Sequence, residues 1–223
     1  MQSLYNRIYN RISTGGKNVF TMMLVKKEFL ALVFANLLFQ LGITYIMMEK
    51  TEDAKKKYNF WLLFLSSIVI LFVLAIPMHP GIKFLLFCGF SYIFGILLSV
   101  LKEKYNEEQI KLAIQSALSV FGAMLVVALA LLAGGIRLGY KFGMFLFVAL
   151  LGLIIFRLVN LFTHSFSSKL LAIIGTILFS LYILYDTHVI LQRNYDGDFI
   201  HASMSYYLDI VNLFTNLLRS SEE

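Results

Sequence analysis

The sequence predicts an all-α membrane protein, a bundle of seven transmembrane helices of which the C-terminal one is semi-polar. Three observations predict it: 59% of the 223 residues are hydrophobic, only 14% are charged, and the mean hydropathy is +0.79. A soluble domain carries a larger charged fraction, whereas a bilayer span needs about 20 mostly apolar residues. Because the apolar stretches use up most of the chain, we expect no separate soluble catalytic, nucleotide-binding or ligand-binding domain.

The first element is a basic amphipathic segment over residues 1–27. Leu4, Ile8 and Ile12 follow one another at helical spacing against a polar face, and the segment contains no acidic residue. Its basic residues are Arg7, Arg11, Lys17, Lys26 and Lys27. We expect this segment to lie on an anionic membrane surface; the alternative is a mitochondrial-type targeting sequence, which has the same composition.

The transmembrane domain is predicted over residues 28–218, followed by a short tail at 219–223. The seven spans are predicted at residues 28–48, 60–78, 82–101, 110–133, 142–162, 168–191 and 203–218. They should be helices, because lipid offers no partner for backbone groups. Pro77 and Pro80 fall in the link between the second and third spans. Gly135, Gly139 and Gly143 are four residues apart and are expected on one helical face, where they would permit close helix contact; the favoured interpretation is that they are ordinary packing glycines.

The charge and the reactive residues exclude several classes of function. The net charge is +6, but the basic residues stand at segment ends, where lipid headgroups attract them, so we expect a bilayer partner and no nucleic acid. Cys88 is the only cysteine, which rules out an intrachain disulfide. The four histidines form no HExxH pattern. We therefore expect neither an enzyme nor a resident cofactor.

Two carboxylates inside the spans are the strongest functional signal, because intramembrane charge is costly and usually functional. Asp186 lies five residues before the end of the sixth span and Asp209 six residues after the start of the seventh. At a rise of about 1.5 Å per residue, both lie roughly 8 to 9 Å from the same membrane face. Level carboxylates on adjacent helices are expected to share a proton, because two buried like charges cannot both ionise cheaply. The alternative is two independent carboxyl groups, each bonded to a neighbouring hydroxyl or amide.

The seventh span carries a polar stripe that places this helix inside the bundle. Ser205, Asp209, Asn212, Asn216 and Arg219 follow one another at spacings of 4, 3, 4 and 3. These spacings put the five side chains on one face of a helix. Such a face cannot contact lipid, so we expect the helix to line a polar path or to pack against other polar groups.

Depth also decides which basic residues could reach the carboxylates. Arg157 is near the opposite membrane face and is expected to extend to that interface or to meet Asn160. His79 and Lys83 lie in the link on the carboxylates' own face and are the better candidates for a basic partner.

The loop on the same face carries two further acids. Asp196 and Asp198 stand between the sixth and seventh spans. We expect them to raise the local concentration of cations at a pore mouth.

The C-terminal quarter resembles a known family. Residues 175–191, GTILFSLYILYDTHVIL, and residues 205–219, SYYLDIVNLFTNLLR, are similar to the signature of the transmembrane Bax inhibitor motif family. The resemblance implies a bundle with the seventh helix at its centre and a slow, pH-sensitive calcium leak. It also implies that Asp186 and Asp209 form the proton-sensitive pair that closes the pore, and the same carboxylates would hold calcium transiently. In eukaryotic members it implies suppression of stress-induced cell death.

The sequence departs from this family at one point. Bacterial members carry an arginine near the end of the second helix, where this chain has Ile76, Pro77, Met78 and His79. His79 or Lys83 would have to replace it. The alternative function is a non-transporting accessory subunit of a larger membrane complex. The resemblance implies an endoplasmic reticulum or other endomembrane location in a eukaryote and the plasma membrane in a bacterium; the mitochondrial inner membrane is the alternative.

Overall fold

The computed structural model describes residues 19–163 and 166–221, and within them all side chains except those of residues 55, 56 and 161. All regular structure in these ranges is helical. The amphipathic stripe predicted at Leu4, Ile8 and Ile12 lies outside the described residues. The helices are α1 Val19–Val25, α2 Lys27–Lys50, α3 Ala54–Lys57, α4 Phe60–Leu74, α5 Pro80–Ser99 with a 3₁₀ turn at Val100–Glu103, α6 Glu107–Ala133, α7 Tyr140–Thr163, α8 Ser168–Gln192 and α9 Phe199–Ser220.

Seven of these helices coincide with the seven predicted spans to within four residues at each end. The second was predicted to reach residue 78 but ends at Leu74. Pro77 explains the early end, because a proline disfavours helical backbone in the residue before it. Pro80 then opens α5, and the ring of His79 caps this helix by accepting a hydrogen bond from the backbone N–H of Gly81 at 3.2 Å.

Five of the described helices are long and apolar enough to cross a bilayer: α2, α5 with its 3₁₀ turn, α6, α7 and α8. Helix α4 is apolar but has only 15 residues. Helix α9 has 22 residues, but its polar stripe keeps it outside this group. Over residues 19–163 and 166–221 the structure is therefore all-helical with five candidate spans, and the count of seven spans stays a prediction.

The prediction that Gly135, Gly139 and Gly143 share one helical face is wrong. Gly135 ends α6 in a left-handed conformation (φ +80°), with Ile136 N–H bonded to Leu131 O at 2.9 Å, the arrangement of a Schellman cap. Gly139 precedes α7, so of these three glycines only Gly143 lies inside that helix. At Gly143 the missing side chain makes room for the hydroxyl of Tyr185.

Large apolar side chains are exposed on α4 and α7. Trp61 and Phe72 on α4 are 69% and 73% exposed, and Phe162 on α7 is 85% exposed. A soluble protein rarely exposes apolar patches of this kind. These surfaces are suited to contact with lipid chains.

The chain divides into two compact units. The described residues of the first unit are 19–30, 113–163, 166–195 and 208–221. In this unit α7 packs on α8 through a core of Leu146, Leu153, Leu171 and Leu178. A smaller cluster joins α1, α6 and α8 through the side chains of Val19, Leu132 and Leu191.

The second unit, residues 31–112 and 196–207, contains a buried polar network. Gln40 on α2 accepts a hydrogen bond from Ser91 Oγ on α5 at 2.8 Å and donates to Asn36 Oδ1 at 3.2 Å. Asn36 in turn donates to Ser203 Oγ on α9 at 2.6 Å. Gln40 and Ser91 are fully buried. This network joins three helices through buried polar groups that satisfy one another's hydrogen bonds.

Replacing Gln40 by leucine should destabilise the protein. The substitution leaves the buried hydroxyl of Ser91 and the amide oxygen of Asn36 without their partner, at a cost of about 1–3 kcal/mol. We expect a lower thermal unfolding midpoint in detergent. Gln115→Leu on α6 is the control, because Gln115 is exposed. Equal midpoints for the two variants would show that the network does not stabilise the fold.

Candidate functional site

The side chains of Asp186 on α8 and Asp209 on α9 are hydrogen-bonded to each other in the first unit. Asp209 is 5% exposed and Asp186 is half-buried. Two carboxylate anions have no donor to offer each other, so this bond requires a proton held between them. Asp209 Oδ2 is buried, and no N–H or O–H group of the described residues donates a hydrogen bond to it. The arrangement can bind or release one proton.

Tyr182 is a further member of this cluster that the sequence analysis missed. Its phenol interacts electrostatically with both Asp186 and Asp209. The signal was available in the sequence, because Tyr182 precedes Asp186 by four residues and so lies on the same face of α8. An aromatic residue in an apolar helix is usually packing, which is why the spacing alone did not single it out.

Helix α9 is buried or half-buried along nearly its whole length, as its polar stripe predicted. Of residues Phe199–Ser220 only Arg219 is exposed, and Ser205 is half-buried. The amide of Asn212 donates to Leu208 O, and that of Asn216 donates to Asn212 O, both at 2.7 Å. These bonds return to the backbone of α9 itself, so the stripe satisfies part of its own polarity.

Arg157 has a different partner from the one expected. Its guanidinium donates to Asn216 Oδ1 on α9, whereas the side chain of Asn160 caps the chain by accepting from Phe166 N–H at 2.8 Å. The expected pairing with Asn160 is therefore wrong. Asn216 is seven residues from Asp209 along α9, so Arg157 contacts this helix well away from Asp209.

Asn216 fits beside α8 because residue 175 is a glycine. A Cβ atom at Gly175 would lie 2.1 Å from Asn216 Oδ1 and 2.6 Å from its Cγ. Asn216 is fully buried. Gly175 therefore allows α9 to bring this amide within reach of Arg157.

The two candidate basic partners are engaged elsewhere in the second unit. Lys83 Nζ is 2.5 Å from Asp198 Oδ2 in an ion pair, and the Lys83 side chain is buried. Asp198 also caps α9, because its Oδ1 accepts from His201 N–H at 2.9 Å. His79 caps α5 as described above. Of the two loop acids, Asp198 is therefore neutralised by a lysine, whereas Asp196 is exposed.

The pKa of His201 reports on this ion pair. Burial lowers the pKa below its usual value of 6.5, Lys83 lowers it further, and Asp198 raises it. Lys83→Met should therefore raise the pKa of His201, and Asp198→Asn should lower it. Histidine titration by NMR, with His201→Gln to assign the signal, measures both shifts. Shifts in the opposite directions would show that the pair does not act on His201.

Lys26 was expected only as one charge of a basic segment, but it has a defined contact. Its ammonium donates to Ile190 O at 2.8 Å and to Arg193 O, both at the C-terminal end of α8. The side chain is 7% exposed. Carbonyl groups at a helix C-terminus carry partial negative charge, which suits a cation. Lys26 thus joins the start of α2 to the end of α8 at Gln192, six residues beyond Asp186.

Burial lowers the pKa of Lys26 from 10.5 to about 8. Between these values the unfolded chain holds the proton and the folded chain releases it, so stability should rise with pH over that interval. We expect the thermal midpoint of the wild type to rise from pH 8 to pH 10 relative to that of Lys26→Met. Lys27→Met, at an exposed position, should keep the wild-type slope. The same slope in all three proteins would contradict the assignment.

The sequence analysis also missed the buried polar residues of α2. Asn36, Gln40 and Thr44 are four residues apart and share one helical face. Thr44 Oγ1 is 2.6 Å from the hydroxyl of Tyr207 on α9. Their spacing was the available signal, but uncharged polar residues hardly lower the hydropathy of a span.

No group of three or more His, Cys, Asp or Glu side chains capable of holding a metal ion occurs among the residues that the structure describes. Within the first unit, the carboxyl pair of Asp186 and Asp209 is the site with oxygen ligands suited to a hard cation.

Comparison with known proteins identifies relatives over most of the chain. The family model described as "Inhibitor of apoptosis-promoting Bax1" matches residues 21–221. Bax inhibitor 1 of Schizosaccharomyces pombe is 31% identical over 218 residues, which is 87% of this chain and 76% of that protein. The Golgi anti-apoptotic protein of vaccinia virus is 30% identical over 159 residues, 70% of this chain and 65% of that protein. Protein lifeguard 4 of Mus musculus is 40% identical over 83 residues, 37% of this chain and 35% of that protein.

Proposed function

The chain belongs to the Bax inhibitor family, and from that premise we propose that it is a passive calcium leak channel gated by one proton shared between Asp186 and Asp209. The observation that carries the proposal is the hydrogen bond between these two carboxyl groups, which joins α8 to α9. Such a bond exists only while a proton is present, so the contact between the helices is sensitive to pH.

The proposed gate opens when loss of the shared proton replaces the hydrogen bond between the two carboxyl groups by electrostatic repulsion. With one proton the pair holds α8 and α9 together. Without it, two carboxylates in a medium of low dielectric repel each other and separate the helices unless a cation lies between them. Calcium suits that position, because it prefers carboxylate oxygens. As His79 caps α5 and Lys83 pairs with Asp198, we propose that opening is driven by this repulsion and not by capture of a basic side chain.

The cellular role that we propose follows from the relatives. A Bax inhibitor and a Golgi anti-apoptotic protein are among them. A calcium leak from an endomembrane lowers the stored calcium that can be released during stress, so in a eukaryotic cell we propose suppression of cell death. In this proposal α4 and α9 complete a bundle of seven spans, with α9 lining the path.

The test is calcium flux into liposomes that contain only the purified protein, at pH 6 and pH 8. We expect a leak that is faster at pH 8 in the wild type. In the double variant Asp186→Asn, Asp209→Asn, the two amides retain a hydrogen bond and cannot ionise, so the leak should be slow at both pH values. Asp53→Asn is the matched control, because Asp53 is exposed in a link and its left-handed backbone (φ 49°) tolerates asparagine.

Two results would overturn the proposal. A pH-dependent leak that persists in the double variant would place the gate elsewhere. Flux no higher than that of empty liposomes at either pH would favour the accessory-subunit function, and that function predicts co-purification with a larger membrane complex.

A further inference from the structure

The first unit contains a cationic cluster that the proposed leak does not use. Arg157 on α7 bonds to Asn216 on α9, and Asn216 occupies the space left by Gly175 on α8. Arg157 also interacts electrostatically with Arg219, three residues beyond Asn216. Three helices therefore bring two guanidinium groups and one amide together.

This cluster lies close to one end of the unit. Arg157 is six residues from the end of α7 at Thr163, which corresponds to about 9 Å along the helix. Arg219 is one residue from the end of α9. Helix α8 begins at the same end, with Lys169 exposed in its first turn. Three cations thus stand near one end, at the depth where phospholipid phosphates meet a membrane protein.

No carboxylate among the described residues of the first unit lies close enough to neutralise these three cations. The acids described there are Glu28, Asp186 and Asp209. Asp209 is seven residues from Asn216, about 10 Å along α9, and Asp186 is eleven residues from Gly175, about 16 Å along α8. Glu28 lies beside Lys26, at the other end of α8. Glu222 and Glu223 lie outside the described residues.

Arg157 is therefore under-neutralised. It is half-buried, its hydrogen-bond partner is a neutral amide, and its charged neighbour Arg219 repels it. A guanidinium has five N–H donors in a planar fork that matches two oxygens of a phosphate. An anion that bridged Arg157 and Arg219 would turn repulsion into two attractive contacts.

The surface beside Arg157 identifies the source of the phosphate. Ile154 on α7, three residues before Arg157 and so on the same side of the helix, is 45% exposed, and the neighbouring Leu158 is 56% exposed. Acyl chains lying on these side chains would place their headgroup next to Arg157. A free inorganic phosphate would gain nothing from this apolar surface.

We propose that Arg157 and Arg219, with the amide of Asn216, bind the phosphate group of an anionic phospholipid at this end of the first unit. The lipid bridges α7 and α9 and lies on the exposed apolar face of α7.

The test uses the full chain in a neutral maltoside detergent. The probes are short-chain phosphatidylglycerol, phosphatidylcholine of the same chain length, and inorganic phosphate. The measurements are bound lipid by native mass spectrometry and the shift in thermal midpoint. We expect phosphatidylglycerol to be retained and to raise the midpoint by several degrees, with a much smaller effect of the other two probes.

Two variants and a matched control locate the site. Arg219→Gln, at an exposed position, should reduce retention without impairing folding, and Arg157→Lys should reduce it because an ammonium lacks the planar fork. Arg137→Gln, an exposed arginine in the link before α7, should retain the lipid like the wild type. Equal retention in Arg219→Gln, Arg157→Lys and the wild type would overturn the proposal.

Two further comparisons test whether inorganic phosphate or the acidic C-terminal residues occupy the site instead of a lipid. Equal stabilisation by inorganic phosphate would overturn the lipid as the ligand, because the apolar surface would then contribute nothing. Lipid retention only in the double variant Glu222→Gln, Glu223→Gln would show that the acidic tail fills the site in the native chain, and this too would overturn the proposal. None of these measurements depends on calcium flux.

Discussion

Asp209→Asn alone should make the calcium leak as insensitive to pH as the double variant. The wild-type leak should change at most about tenfold per pH unit, because one shared proton sets the population of the open state. Asp186→Asn should have the same effect. Replacing either aspartate removes the repulsion between two carboxylates that opens the proposed gate, although the remaining carboxyl group can still bind a proton.

This expectation distinguishes two aspartates that share one proton from two carboxyl groups that titrate independently. If each carboxyl titrated by itself, each single variant would keep part of the pH response and the two losses would add. For a shared proton the second substitution changes nothing further. The measurement is the ratio of flux at pH 8 to flux at pH 6 in the wild type, both single variants and the double variant. Losses that add would rule out the shared proton while leaving a leak function intact.

Asp196→Asn is the informative companion variant. Asp196 is exposed in the loop between α8 and α9 and is not a member of the carboxyl pair. If it concentrates cations at a mouth, its removal should lower flux at low salt and leave the pH ratio unchanged. A change in the pH ratio would assign Asp196 to the gate itself.

Gly95→Ala should destabilise the second unit severely. A Cβ atom at residue 95 would lie 2.6 Å from the carbonyl oxygen of Thr44 and 2.7 Å from the Cβ of Met47. Both atoms belong to, or are attached directly to, the backbone of α2, so they cannot move aside without the whole helix. Overpacking of this kind costs about 3 kcal/mol.

The damage should extend to the polar network beside it. Thr44 Oγ1 bonds to Tyr207 and to Ser91 O at 3.2 Å, so separating α2 from α5 breaks buried hydrogen bonds as well. We expect a large drop in the thermal midpoint and a low yield of monodisperse protein.

Gly89→Ala on the same helix is the control for this prediction. A Cβ atom there meets nothing within 4 Å. Alanine also favours helix over glycine by about 1 kcal/mol, so this variant should be at least as stable as the wild type. Equal midpoints for the two alanine variants would mean that α2 and α5 do not pack as closely as described.

The sequence predicted the helices and the carboxyl pair for the same physical reason. Apolar length marks a helix in lipid, and counting residues from its ends gives depth. Asp186 and Asp209 stand at one depth on consecutive helices, and the structure has them hydrogen-bonded. Their function as a gate stays a prediction.

Depth could not predict which way a side chain points. Asn160 and Asn216 are both near the level of Arg157, and only the rotation of α7 and α9 decides between them. The position of Lys26 could not be predicted either. Its partners are backbone carbonyls of α8, which every sequence has and which no composition or charge pattern reveals.

The burial of α9 bears on how the protein is made. Unlike the five long apolar helices, α9 does not have enough apolar residues to enter lipid unaided. Because it follows those helices in the chain, they are already synthesised when it leaves the ribosome. Until α9 arrives, Asn36 and Thr44 on α2 lack the hydrogen-bond partners Ser203 and Tyr207 that this helix supplies. We therefore expect membrane integration to finish in a late, cooperative step, with the nascent chain a substrate for quality control until α9 has inserted.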